Sequence, residues 1–540
     1  MRGKTLKIKK TGQMSGAKLC VSAIFIVLVI IPLIRMFANM DGESFAKVVA
    51  SDSFLTAAKN SVVVSLISTL ISVLIAFLLA WCIERTRIRF KGIFSIILVL
   101  PMLIPSISHG MGLIILLGTN GVVTNLLGLS SNIYGMWGIV TGSVIYSFPV
   151  AFLMLSDVMR YEDSSPYEAA EVMGIPKWRQ LLSISLPYLT KPLISTVFAV
   201  FTMIVTDYGV PLMVGGKFTT LPVVMYQEVI GQLNFSKGSI IGAFLLIPAV
   251  IAFVFDMLKK DDSKLSYVTK KFDLKKNTTR DVLAYLICGL VSVFTFILLF
   301  SFAILTFTTK YPSNLAFTFD NIIRTYNMSG GRYLANSFII ALLVAVIGVV
   351  ISFTTAYLTA RIKSNLSKIL HLISITSLAV PGIVLGLSYV ITFKGSFFYG
   401  TLAILIMVNI VHFFASPYLM MYNSLNKLNE NLEAVGQTLG IGKMRIIWNV
   451  IIPQSKFTIA EMFSYFFVNS MMTISAVSFL ATTATKPVSL MINQFEAQTM
   501  LECAAVVSLA ILIINFTVKG LIYVIRRVSL YKERRIKTAL

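Results

Sequence analysis

Charge is scarce in this chain of 540 residues: 13% are Asp, Glu, Lys or Arg and 56% are hydrophobic, with a mean hydropathy of +0.84. No soluble domain hides that much apolar surface, so a bilayer is the solvent for most of the chain. Acid is scarcer than base, 23 residues against 46, which leaves a formal net charge of +23. In a soluble protein that excess would suggest nucleic acid. No basic patch interleaved with aromatics stands outside the loops, however, and the positive-inside rule is the simpler source. The four cysteines, Cys20, Cys82, Cys288 and Cys503, form no CxxC pair and read as small hydrophobes, not as disulfides or metal ligands. With three histidines and no His/Cys/Asp cluster, a structural metal site has no support.

What the chain does have is long apolar runs. A span needs about 20 such residues, and twelve runs qualify: 19–37, 61–81, 93–117, 135–157, 192–213, 239–258, 282–307, 337–359, 369–392, 399–422, 457–480 and 502–525. Arg2, Lys4, Lys7, Lys9, Lys10 and Lys18 hold the N-terminus in the cytoplasm, and alternation then places 36 of the 46 Lys and Arg on the cytoplasmic side. The first run is longer than a signal-peptide core and lacks a clear cleavage site, so it is expected to be a retained helix. Residues 259–281 are rich in lysine and read as a cytoplasmic linker between two halves.

The halves are repeats. Asn60-Ser61 recurs as Asn336-Ser337, Arg85 as Arg361, Pro105 as Pro381 and Gly110 as Gly386, each 276 residues later. Pro149 recurs as Pro417 at an offset of 268, and Gly174 as Gly440 at 266. Six spans per half is an even number, so both halves insert in the same orientation and are related by an axis along the membrane normal.

The most informative repeat lies in polar gaps between spans. One copy reads Glu168-Ala169-Ala170, then Gly174, then Ile184-Ser185-Leu186-Pro187; the other reads Glu433-Ala434-Val435, then Gly440, then Val450-Ile451-Ile452-Pro453. Each proline follows its glycine by thirteen positions. Ser165 to Glu168 has capping-box spacing, Pro166 suits the first helical position and Gly174 suits a left-handed C′ residue. Pro176 can open a second helix that lasts until Pro187 marks the next span. Seen once, this would be a generic linker with a capped helix. Seen twice at matching positions, it is a helix–turn–helix docking surface on the cytosolic face, with small Ala side chains for close approach and a Glu as an anionic handle.

The first copy resembles the signature loop of type I ABC importer permeases at every position: Glu168, Ala169, Ala170, Gly174, Ile184, Leu186 and Pro187. The second departs from it. Counted back from Gly440, its leading positions are Ala434, Val435 and Gly436, with Glu433 one residue early, and it ends on Val450, Ile452 and Pro453. The acidic handle is therefore displaced, and the two loops need not be equivalent. The chain is most similar to fused double permeases of the ferric-iron, 2-aminoethylphosphonate and thiamine importer group. Asp207-Tyr208-Gly209-Val210-Pro211 with Gly215-Gly216, and Ile474-Ser475-Ala476-Val477, look like the iron and phosphonate branch.

The resemblance implies an all-α integral membrane protein of 12 transmembrane helices in two parallel six-helix repeats. It implies division into 1–58, a first permease domain 59–258, a linker 259–281, a seventh helix and outer loop 282–334, a second permease domain 335–526 and a basic tail 527–540. It also implies a bacterial cytoplasmic membrane, two ATPase subunits gripped at the loops, and a solute-binding protein on the far side. The chain itself carries no G-x-x-x-x-G-K-[ST]: Gly216-Lys217 precedes Phe218 and Gly442-Lys443 precedes Met444. ATP and Mg are expected on the partners, with no cofactor on this chain. Intramembrane polar groups are candidates for the solute path, here Asp207, Asn469 and His412; Glu461 begins its span near the cytosol. The rivals are a twelve-span transporter driven by an ion gradient, whose Gly-rich, Asp-containing signature is not matched by Glu84–Gly92, and a membrane enzyme, for which no nucleophile–base pair is found.

Overall fold

The structure is a computed structural model that describes residues 15–128, 133–258, 270, 272–274, 277–429 and 431–539. The N-terminal basic residues before Ser15 and most of the predicted linker lie outside the described residues. Among those described, nine helices are long and apolar enough to cross a membrane, and eleven spans result when two bent pairs are each counted as one. The eleventh expected span, 457–480, is helical only over Lys456–Met472, 17 residues. Ser455 interrupts it at one end, and at Thr473 the backbone turns extended, with ψ 138°.

Prolines explain the breaks. Pro105 (ψ 150°) separates Lys91–Leu103 from Ser106–Leu117, and its repeat mate Pro381 (ψ 142°) separates Asn365–Ala379 from Gly382–Phe393, where the chain bends by 107°. A proline has no amide hydrogen to donate, and its ring clashes with the carbonyl four residues back. The repeat extends to packing. A Cβ on Gly110 would lie 2.7 Å from Met213 Cβ, and one on Gly386 2.7 Å from the Ala476 carbonyl oxygen. In each half, therefore, the helix after the proline crosses close against the segment that follows the fifth span.

Compactness does not follow chain order. One unit comprises Met40–Arg332 with Val488–Ile513; the other comprises the chain through Asn39, Tyr333–Pro487 and from Ile514 onward. The first helix thus packs with the second half. Phe25 meets Phe414 edge-on at 4.5 Å, Tyr389 donates to the Leu28 carbonyl at 2.8 Å, and buried Lys18 donates to Ile362 O and Ser364 Oγ. The seventh helix, Thr278–Thr306, packs with the first half in the same way. Its Cys288 shares a core with Leu79, Cys82 and Phe152. All of the expected domain 59–258 lies in the first unit, while the expected domain 335–526 is divided, its Val488–Ile513 going with the first unit.

Small and hydroxylated residues make the seams, as expected where lipid gives helices no hydrophobic reason to associate. Ser61, Ser65, Ser68 and Ser72 are buried along Asp52–Arg85, and Ser72 bonds Ser147 of Met136–Arg160 at 2.7 Å. In the second half Gly348 stands in the place of Ser72 and receives the Phe466 ring. Sheet is confined, among the described residues, to one hairpin the sequence reading did not anticipate. It pairs Thr308–Lys310 with Asn314–Phe317.

Candidate functional site: the two repeated loops

Both loops fold the same way. Helices Ser165–Val172 and Leu432–Thr438 end on Gly174 and Gly440, each with φ +69°. The Ile175 amide reaches back to Ala170 O (2.9 Å) and the Gly174 amide to Glu171 O (3.1 Å); Ile441 to Gly436 O (2.8 Å) and Gly440 to Gln437 O (3.1 Å) repeat the pattern. This is the Schellman arrangement, which satisfies carbonyls that the helix end leaves open. Residues 176 and 442 then turn the chain with nearly equal angles, ψ 148° and 143°, into Lys177–Gln180 and Lys443–Ile446.

The prolines do not stop these second helices, contrary to expectation. In each copy a π-turn, Leu181–Ser185 or Ile447–Ile451, precedes the proline by one residue, and the helix continues. The wider turn absorbs the missing amide and the ring of Pro187 or Pro453. In the first copy the result is an uninterrupted helix Lys177–Val205, so the loop is rigidly joined to its span. Ile184, Val450 and Ile452 are half-buried on this segment, while Leu186 and both prolines are exposed.

The expected capping box does not form. Ser164, not Ser165, is the cap position, and its hydroxyl donates to Glu168 Oε1 at 3.1 Å instead of taking a helix amide; Asp163 accepts from the Ser165 amide and hydroxyl. The second carboxylate oxygen of Glu168 takes Lys270 Nζ at 2.6 Å. Lys270 beside it, and then the Ser164 hydroxyl, hold the Glu168 carboxyl below the usual carboxylate range. Ala169 is exposed beside Glu168, and Ala170 is buried beneath it.

Glu433 plays a different part from Glu168. Counted from the glycines it stands where Tyr167 stands in the first loop, and it turns inward to Arg361, which is 3% exposed. Arg361 also donates to the carbonyls of Leu425, Leu428 and Asn429. In the first half Arg85, its repeat mate, pairs with Glu162, which in turn accepts from Tyr167. Each loop is thus tied to the end of its own half's long apolar helix by a buried arginine. The sequence marks the two arginines only as repeat mates 276 residues apart, and that shared offset is the signal that could have found their role. Ala434 occupies the outward place of Glu168 and Gln437 that of Glu171, so the second loop presents no carboxylate at either position.

The polar residues expected along a solute path are placed as follows. Asp207 caps Gly209–Val214, accepting from the amides of Gly209 (3.3 Å) and Val210 (3.0 Å), and lines a small cavity with Ser61, Ser65, Ser143 and Thr220. Asn469 donates to Tyr465 O in its own helix at 2.7 Å. His412 ends Leu402–His412 at the 51° break, beside Gly382. Glu461 pairs with Arg526 at 2.5 Å. No group of three or more His, Cys, Asp or Glu that could hold a metal occurs among the described residues.

The family described as "Binding-protein-dependent transport system inner membrane component" matches residues 72–260 and again 352–528, and the chain belongs to it. Both matches begin beyond the helix that crosses to the other unit. The Ferric transport system permease protein FbpB of Actinobacillus pleuropneumoniae is 25% identical over 516 residues, 89% of this chain and 74% of that protein. The Putative ferric transport system permease protein FbpB 1 of Haemophilus influenzae is also 25% identical over 516 residues, 89% of this chain and 81% of its own length. A bacterial alginate ABC transporter, solved in complex with an alginate pentasaccharide-bound periplasmic protein, aligns with a TM-score of 0.38 at 18% identity, over 45% of this chain and 91% of its own. The chain is the membrane permease of a binding-protein-dependent ABC importer, with two permease domains fused in one polypeptide.

Proposed function

We propose that this permease carries ferric iron inward across a bacterial cytoplasmic membrane, and that two separate ATP-hydrolysing subunits drive it by seating on the loops at 165–187 and 432–454. The observation that carries the docking reading is the repetition: two loops with the same left-handed glycine, the same π-turn and the same proline register. Their exposed apolar side chains, Val172, Met173 and Trp178 in one and Leu439, Met444 and Trp448 in the other, suit a partner's groove. The continuous helix from Lys177 to Val205 suits transmission of movement from that groove into the bundle. A binding protein delivers the cation on the other side. Iron as cargo is supported by the two ferric permeases that resemble the chain over 89% of its length. Uptake of radiolabelled ferric ion by vesicles holding the assembled transporter tests it. Competition by excess unlabelled ferric ion and none by sulfate or molybdate is expected; transport of either oxyanion in preference to iron would refute the cargo.

A further inference from the structure

Two linker residues touch the first coupling loop at several points. The Lys270 amide donates to Asp163 Oδ1 (3.0 Å), its carbonyl accepts from the Ser164 amide (3.0 Å), and its Nζ reaches Glu168 Oε2 (2.6 Å). Two residues on, the Phe272 ring lies 3.5 Å from the Arg85 guanidinium and meets Tyr167 edge-on at 5.0 Å. Arg85 and Tyr167 are the two groups joined through Glu162, so Phe272 closes the cluster that ties the loop to its span.

These contacts differ in strength. The Lys270–Glu168 pair is about half exposed on each side, and such a pair is weak and easily exchanged. Phe272 stacks on an arginine only 8% exposed, where an aromatic face counts for more. The two backbone bonds at Asp163 and Ser164 set the residues just before the coupling helix. At the second loop Arg361 does equivalent work through Glu433 and three carbonyls.

We propose that Lys270 and Phe272 form a strap that positions the first coupling loop, with Phe272 as anchor and Lys270 keeping the place at Glu168 that a cation of the ATPase takes on docking. This rests on the reading of the loop as an ATPase seat. It assigns to the joint between the halves a task that chain connectivity alone would not require: the first loop is held by the linker, and the second is held from within its own half.

The test is hydrogen exchange on the full permease in detergent, comparing F272A, F272L and F272Y with the unaltered chain. Exchange about tenfold faster at Ser164 and at Tyr167 to Val172 is expected in F272A and F272L, with F272Y unchanged and residues 432–441 unchanged in all. Unaltered exchange in F272A and F272L overturns the strap. So does protection in F272L equal to that in F272Y, since bulk and not an aromatic face would then suffice. Where F272A loosens both loops by misfolding, F272L decides. Co-purification of the ATPase with the unaltered permease is read on the same preparations. Its failure would refute the docking reading and leave the exchange result standing.

Discussion

Arg361 forks onto Glu433, Nε to Oε1 at 2.8 Å and Nη2 to Oε2 at 2.5 Å, and this fork fastens the second repeated loop to the end of the long helix Gly331–Ala360. Removing one partner of a buried pair strands the other. Glu433→Ala is expected to cost about 3 kcal/mol, read as a lowered melting temperature in detergent. It should also reduce retention of the ATPase. Arg361→Lys keeps the charge but loses the two-pronged geometry and should fall between E433A and the unaltered chain.

The glycines at the turns allow a matched comparison. A Cβ on Gly174 or Gly440 would meet nothing within 4 Å, so alanine there is disfavoured only by the backbone, at φ +69° for both. G174A and G440A should each cost about 1 kcal/mol. Uptake should fall in both, because each loop must present its turn in the same shape. Asparagine at either position, which tolerates the left-handed region better, should retain more uptake than alanine.

Asp207 separates a structural role from a solute-binding one. Its carboxylate caps Gly209–Val214 by accepting from two amides, one on each oxygen, and an asparagine keeps one of the two bonds through its single oxygen. D207N should leave KM for uptake within about twofold, while D207A loses the cap at about 1 kcal/mol. A large rise in KM for D207N would show instead that the charge meets the cargo.

The first loop should be insensitive to mild changes of pH. Lys270 and Ser164 depress the Glu168 pKa, so the contribution of this ion pair is fully present above the ordinary glutamate value of about 4.3 and is lost as pH falls through the depressed value. Glu168 in turn raises the Lys270 pKa, so the pair persists until pH climbs above the usual lysine range of about 10.4. Protection of residues 164–172, corrected for intrinsic exchange rates, should be flat from about pH 5 to 9.

Much of this was legible in the sequence, and the reasons differ by feature. Gly174 and Gly440 announced left-handed turns because few other residues tolerate that conformation, and Pro105 and Pro381 announced breaks because proline lacks an amide hydrogen. The capping box expected at Ser165 and Glu168 does not form because the Glu168 carboxylate is taken by the Ser164 hydroxyl and by Lys270, a residue 102 positions away. The pairings of Arg85 with Glu162 and Arg361 with Glu433 span more than seventy residues and depend on packing, which local patterning does not encode. The exchange of leading helices between units was hidden for the same reason: hydropathy says that Ser15–Ala38 spans, not what it packs against. Lys270 and Phe272 lay in a stretch whose charge density read as solvated linker.

Reconstitution tests the central claim most directly. The permease is placed in liposomes with its ATPase and its binding protein, and solute uptake is followed with and without ATP. Uptake that requires ATP, disappears when the ATPase is omitted, and is abolished by combining the substitutions at Gly174 and Gly440 is the predicted result. Undiminished uptake by the permease alone under an imposed ion gradient would contradict the account.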